Sequence, residues 1–524
     1  MAECVMTLVP SGESRVFPHG TLIADALLDM GVAFDTPCGG KGTCSKCRVR
    51  ISDFLVEQNN GQAPVLDSPV WAFACQNRMT NDLTVYVPPE IPVDVLTIPH
   101  LLNDHTYSIA VDIGTTSVRM SLVDTATKRS FEIASFLNPQ RRFGHDVISR
   151  IAAGANQENL EAMGGLIRKA IHIRLKKALY ETALPGDRIK SIVFSGNTTM
   201  LYLLFGLDVM PLGQHPYAAH VKDFPPCFAR EIGLDVIGEA RVMALPVSGA
   251  FTGGDLIGAL TLCQSLGMTR NVFFIDLGTN GELFVLDGSG TPFITSCAMG
   301  PALEGMNISS GMTAYAGTIT RIKEGPDGLT YSMIGEGDPV GITGTTLMDL
   351  TAILLEKGAI SKNGTFSRHM EKLHLPQPLC LNHAGDSLEI KLWGEIGLTR
   401  KDIRQLQLAK AASCTASHFL LQAAGLKLDD IEHVIIAGAF GEHIDLEHFR
   451  RLGFIPDFPR ALEIYLGNSS LRAAEKSCID PGFIDQAAAL RDKCREVTLS
   501  NQPKFQEVFI RSLGFTNEST GHDG

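Results

Sequence analysis

Two short apolar runs, Val5 to Gly12 and Ser14 to Pro18, flank a Gly-Glu turn and predict a pair of strands. Thr21 then reads as the N-cap of a helix over LIADALLDM that Gly31 stops. The runs CRVRI and LTVYVP predict two further strands and close a first segment, residues 1–88. Four prolines between Pro88 and Thr106, with no steady periodicity, mark residues 89–106 as a linker, either mobile or a short ordered strut. Beyond it one pattern occurs twice, in YSIAVDIGTTSVRMSLVD (Tyr107 to Asp124) and NVFFIDLGTNGELFVLD (Asn271 to Asp287). Each copy is an apolar strand, Asp, one apolar residue, Gly-Thr, a short polar turn and a second apolar strand. Helical periodicity follows over Glu158 to Thr182, Thr345 to Lys357 and Arg400 to Ala424. The repeat divides the remainder into lobes at 107–267 and 268–515, with a polar tail at 516–524 that is expected to fray.

The doubled hairpin is a design for phosphate. Glycine lets the backbone approach a phosphate oxygen, and successive N–H groups with hydroxyls supply donors. An Asp just before the tip can hold the water shell of Mg²⁺. Asp112, Gly114, Thr115 and Thr116 in the first copy correspond to Asp276, Gly278, Thr279 and Asn280 in the second. The pattern resembles the phosphate-1 and phosphate-2 motifs of the actin, sugar-kinase and heat-shock-chaperone ATPase superfamily. That resemblance implies two ribonuclease-H-like α/β lobes and a downstream adenosine turn. HVIIAGAFGEHID, with Gly438, Ala439, Phe440 and Gly441, fits the turn, and GNSSL places Asn468 at a helix start, as a cap or a nucleotide contact.

Gly253-Gly254-Asp255 opens another helix, with Gly258 and Ala259 permitting close helix packing. In the superfamily's sugar kinases an Asp here is the general base. Asp255 therefore reads as a kinase base, as a group orienting water for hydrolysis, or as a plain helix cap. Asp112 and Asp276 join it as catalytic candidates through Mg²⁺. In NPQRRFGHDVISR, Asp146 is either a helix cap or a nucleotide or partner contact.

The first segment carries Cys38, Cys44 and Cys47 as C-x₅-C-x₂-C in a glycine-rich loop, with Cys75 further on. Zinc sites usually pair two CxxC-like knuckles, and only one is present. Three cysteines on one loop plus a remote fourth match the plant-type 2Fe–2S arrangement. The segment resembles the β-grasp ferredoxin domain, with a five-residue spacer closer to the adrenodoxin-like branch. Cys297 lies in ITSCAMGPALEGM and reads as a buried thiol, with a redox role as the alternative.

Composition is that of an ordinary soluble globular chain: 524 residues, 44% apolar and 19% charged. There is no run of 18 or more apolar residues and no basic-then-apolar start, so a membrane span and a secretory signal are not expected, and the cytoplasm is. The net charge of −12 argues against nucleic acid and anionic membranes as partners.

An electron carrier joined to a phosphate-gripping ATPase narrows the function. Plant-type clusters sit near about −400 mV, so ATP is useful where the acceptor lies lower still. Each further ~100 mV costs roughly 2.3 kcal/mol per electron. The arrangement resembles the ATP-dependent reductive activators of corrinoid proteins across nearly the whole chain. The resemblance is carried by the cysteine loop, DIGTTS, NPQRRFGHDVISR, SGNTTM, GGD, DLGTNGE, GPALEG, AGAFGEHID and GNSSL. It implies reduction of an inactive cobalt(II) corrinoid to cobalt(I), with the electron passed through the 2Fe–2S cluster, and restores a methyl-transfer system. It implies ATP, Mg²⁺, a low-potential electron donor, a homodimer and a corrinoid methyl-carrier protein as partner. The chain has no DxHxxG run, so the corrinoid is expected on that partner. A small-molecule or sugar kinase with a redox-sensing cluster domain is the alternative. A binding protein in which nucleotide only sets affinity for a redox partner is the third reading.

Overall fold

The structure, a computed structural model, describes residues 3–9, 12–30, 32, 47–52, 56–58, 61–62, 70–86, 105–312, 317–367, 369, 372–384, 387–394, 396–438 and 444–515. Cys38 and Cys44, the expected linker up to residue 104, Ala439, Phe440 and Gly441, and the tail lie outside these residues.

In the strand Glu3–Val9, Cys4, Met6 and Leu8 are buried while their neighbours are not, the period of two that places one face on a core. The strand pairs antiparallel with Ser14–Pro18 and parallel with Leu83–Tyr86. Arg48–Ser52 and Val70–Phe73 complete a five-stranded sheet. The helix Ile23–Asp29 lays Ile23, Ala24, Ala26 and Leu27 against it, giving the β-grasp layout. Thr21 is not the helix cap. Leu22 is held extended in a bridge to Arg78, so the helix starts at Ile23, and the Thr21 hydroxyl donates back to Pro18 O at 2.6 Å.

Contacts divide the chain into two compact units: Met1–Phe194 with Thr199–His220 and Pro225–Met243, and Ser195–Thr198 with Val221–Phe224 and Ala244–Gly524. The first lobe's sheet runs Arg129–Leu137, Ser117–Asp124, Tyr107–Ile113, Ile189–Gly196, Arg241–Ala244, Cys227–Phe228. The second lobe's sheet runs Leu462–Gly467, His433–Ala437, Val272–Leu277, Asn280–Leu286, Pro292–Ala298, Arg495–Glu496. Taken from the third strand of each repeat, both follow the order third, second, first, fourth, so over these four strands the sequence duplication is a duplication of topology.

Tyr107–Ile113 and Val272–Leu277 are buried at every position but one, as expected for strands covered on both faces. The exception is Asp112 in the first and Asp276 in the second. The long helix of the first lobe, Gln157–Glu181, is capped by Asn156. In the second unit Arg400–Ala424 starts at a Thr399/Asp402 capping box and stops at Gly425, whose φ of 66° suits glycine. Among the described residues no helix is long and apolar enough to cross a membrane.

A buried charge cluster ties the helices Gly344–Glu356 and Leu446–Leu452 to the strand Thr318–Gly325 in the second unit. Asp349, 1% exposed, accepts from His448 Nδ1 at 2.8 Å and from the Ile322 amide at 3.2 Å. Arg321 lies 3.4 Å from Asp349 and 3.0 Å from Asp445. Burial works against a charged His448, but the hydrogen bond and charge of Asp349, with Asp445, outweigh it and raise its pKa above 6.5. A raised folded-state pKa contributes stability that is complete below the unfolded value and lost as pH rises through the folded value. The melting temperature is therefore expected to fall upward from about pH 6.5, and His448→Gln to flatten that fall. Thermal melts at stepped pH check this, and an unchanged slope in the variant would remove His448 as its source.

Candidate functional site

Cys47 precedes the strand Arg48–Ser52, and Cys75 follows Val70–Phe73. The Ala74 amide donates to Cys47 O at 2.9 Å, and this bond brings the two cysteines together. Their Sγ atoms lie 3.1 Å apart, both at least 90% buried. An S–S bond is about 2.05 Å, so these are two thiols and not a disulfide, held side by side inside an apolar shell. That is a donor pair suited to iron or zinc. The chemistry of the pair fits a 2Fe–2S cluster completed by Cys38 and Cys44, which lie outside the described residues.

The first phosphate hairpin lies in the first unit. Asp112 stands at the strand end opposite Arg119, and Thr115 at the tip is 9% exposed. A Cβ on Gly114 would sit 2.6 Å from Ser117 O, so no side chain fits there.

The second hairpin is in the second unit, where Asp276 pairs with Glu282. Ser469 Oγ donates to Asp276 Oδ2 at 2.8 Å. Gly438 has φ +103°, and a Cβ there would lie 2.4 Å from Leu277 O and 2.8 Å from Asp276 Oδ1. Its carbonyl accepts from Tyr465 Oη at 2.9 Å and its amide donates to Gly467 O at 3.0 Å. Gly438 is thus pressed against the carboxylate. The Gly278 amide closes the tip on Asn280 O at 3.1 Å, and the Thr279 hydroxyl donates to the buried Glu304 carboxylate. Asn468 caps the helix Ser469–Ile479, accepting from the Leu471 amide at 2.9 Å.

That helix also links Asp276 to the neighbourhood of Asp255 within the second unit. Ser470 Oγ lies 2.8 Å from Ser195 Oγ, and a Cβ on Gly258 would lie 2.8 Å from Ala473 Cβ. Gly253, not Asp255, is the N-cap of Gly254–Ser265. A Cβ on Gly253 would be 2.6 Å from both Asn197 Cα and Thr198 N and 2.7 Å from Asp255 Oδ1. The helix start bearing Asp255 therefore abuts Asn197 and Thr198, the two residues that follow the strand Ile189–Gly196.

Two open alternatives resolve toward structure. Asp146 Oδ1 accepts from the Ser149 amide at 2.7 Å as the N-cap of Val147–Ala153. Cys297 is buried, and that burial, with Glu282 nearby, pushes its thiol up and away from thiolate chemistry. Ser469 and Glu304 are read from the sequence only as members of their motifs, without the partners they take here. The only available signal was that each lies in a short polar or glycine-rich motif, GNSSL or GPALEG.

Two outcomes follow. Cys75→Ser is expected to abolish the visible 2Fe–2S absorption of anaerobically reconstituted protein and to lower iron content, whereas Cys297→Ser leaves both unchanged. Gly438→Ala is expected to cost about 1–3 kcal/mol in urea melts, because an L-residue is strained at that φ. It is also expected to weaken MgATP binding in calorimetry, because the methyl group displaces Asp276.

Residues 270–522 match the family model for the C-terminal ASKHA domain of RACo, and residues 107–268 the RACo middle region. Residues 7–80 match the 2Fe-2S iron-sulfur cluster binding domain. The corrinoid activation enzyme RamQ of Eubacterium limosum is 27% identical, over 94% of this chain and 96% of its own. The Co(II) methylated amine-specific corrinoid protein reductase of Methanosarcina barkeri is 24% identical, over 78% of this chain and 77% of its own. A solved reductive activator for corrinoid, iron-sulfur protein shares the fold with a TM-score of 0.70 at 24% identity, covering 98% of each chain. With a 2Fe–2S domain, a middle region and an actin-like ATPase domain in this order, the chain belongs to the family of ATP-dependent reductive activators of corrinoid proteins.

Proposed function

We propose that this protein uses ATP to drive one electron from a low-potential donor onto the cobalt(II) of a partner's corrinoid, giving cobalt(I). The observation that carries the reading is the presence in one chain of a buried thiol pair, Cys47 and Cys75, and two Asp-x-Gly-Thr turns. When bound, the 2Fe–2S cluster supplies one-electron transfer. Cys38, Cys44, Cys47 and Cys75 would hold it, and the apolar shell of the β-grasp sheet keeps water from the thiol pair.

Asp112, Gly114, Thr115 and Thr116, with Asp276, Gly278, Thr279 and Asn280, are the phosphate and Mg²⁺ contacts in this reading. Gly438, Ala439, Phe440, Gly441 and Asn468 form the adenosine side. Asp255 orients the water that attacks the terminal phosphate, and its place beside Asn197 and Thr198 supports a role in a polar site. The protein acts in the cytoplasm as a homodimer and docks a corrinoid methyl carrier, whose corrinoid stays on the carrier. The boundaries 1–88, 89–106, 107–267, 268–515 and 516–524 complete this reading of the chain.

Anaerobic absorption spectroscopy on a cobalt(II) corrinoid methyl carrier, with a chemical reductant and this protein, tests the proposal. Growth of the cobalt(I) band is expected only with MgATP. It is expected to disappear with Cys47→Ser, which removes the electron path, and to slow by about 100-fold or more with Asp276→Ala, which removes a metal-site carboxylate. Reduction that proceeds equally without ATP would refute the coupling. If several carriers stay cobalt(II) while a hydroxyl compound stimulates ATP turnover, the kinase alternative takes its place.

A further inference from the structure

The segment NPQRRFGHDVISR contributes Asn138, 1% exposed, and Arg150, a fully buried cation. Both reach the tip of the first phosphate hairpin from behind, within the first unit. Asn138 Nδ2 donates to Gly114 O at 2.8 Å and its amide to Thr116 O at 2.8 Å. One Arg150 Nη donates to Thr115 O. Three successive tip carbonyls are therefore drawn inward. The two side chains also meet at one atom, Met200 Sδ, 3.7 Å from Asn138 Nδ2 and 2.9 Å from the other Arg150 Nη, so the pull is to one side. The Gly144 carbonyl fixes Arg150 Nε at 2.9 Å.

In a planar trans peptide the carbonyl and the following N–H point in opposite directions. The tip peptides are trans, the cis bonds of the described chain being His215-Pro216 and Gln377-Pro378. Pulling the Gly114 and Thr115 carbonyls inward turns the Thr115 and Thr116 amides outward together, the arrangement that forms an anion-binding nest. The guanidinium adds a permanent positive charge on the inner side of the same peptides. We propose that Arg150 and Asn138 are positioning residues that orient the Thr115 and Thr116 amides toward a phosphate group of the nucleotide. The inference rests on the nucleotide reading of this hairpin given above.

Two variants separate orientation from bulk. Arg150→Met keeps the length and loses the charge and the donors. Asn138→Asp keeps the acceptor that holds the Gln140 amide at 2.9 Å but loses the donor to Gly114 O. MgATP affinity is measured by calorimetry on the full protein, with the 2Fe–2S spectrum and melting temperature as checks of the fold. Each variant is expected to weaken MgATP binding by about tenfold or more, since charge-assisted bonds are the strong ones, with Arg150→Lys recovering part of the loss. In the wild type, hydrogen exchange at the Thr115 and Thr116 amides is expected to slow on adding MgATP.

Folded variants that bind MgATP as the wild type does, while Asp276→Ala does not, would overturn the positioning role and leave the nucleotide site standing. If Asp276→Ala also binds normally, or the wild type binds no MgATP, the nucleotide reading fails and this inference with it. Should the variants not fold, the exchange measurement decides, and unprotected Thr115 and Thr116 amides at saturating MgATP overturn the proposal.

Discussion

A stretch of chain that is to bring its backbone against a ligand must be bare and also rigid, and the two demands oppose each other. Removing side chains frees the backbone to approach a ligand, but it also frees the backbone to move. This chain meets both demands from outside the turn. Gly114 and Gly438 stand where a Cβ would strike the neighbouring backbone. The groups that stiffen these turns come from distant segments: Asn138 and Arg150 in the first lobe, Tyr465 and Ser469 in the second. Elements far apart in sequence are thereby committed to one small region of each lobe.

The strands that carry these turns impose a further condition. Each is buried along its length except at the aspartate. A carboxylate in such a strand stays ionised only where it keeps solvent or a partner. Asp276 has the Ser469 hydroxyl, whose donated bond also sets the direction of one oxygen. The cluster domain solves a similar problem with apolar material. Cys47 and Cys75 are held by a backbone bond and a shell of apolar side chains.

Much of this was legible in the residues. The duplicated strand–turn–strand, the β-grasp strands and the long helices have periodicities that depend only on which positions are apolar, and burial follows that pattern directly. Local capping was less legible. Thr21 has the chemistry of a cap, yet a bridge from Leu22 to Arg78 decided where the helix began. Asp146 had two readings of equal chemistry, and the Ser149 amide claims it. Propensity reports what a residue can do, whereas a long-range strand contact decides what it does.

The sequence by itself determined the element order, the repeat, the spacing of the four cysteines and the positions of the acidic and glycine residues at the turns. These depend on residue type and local periodicity, which one chain displays without folding. Only the tertiary structure decided that Arg150 lies under Thr115, that Ser469 turns Asp276, and that Cys47 meets Cys75 across 28 positions of sequence. Such pairings are set by the packing of elements against each other, and no local pattern of side chains encodes which distant carbonyl or carboxylate a given donor will reach.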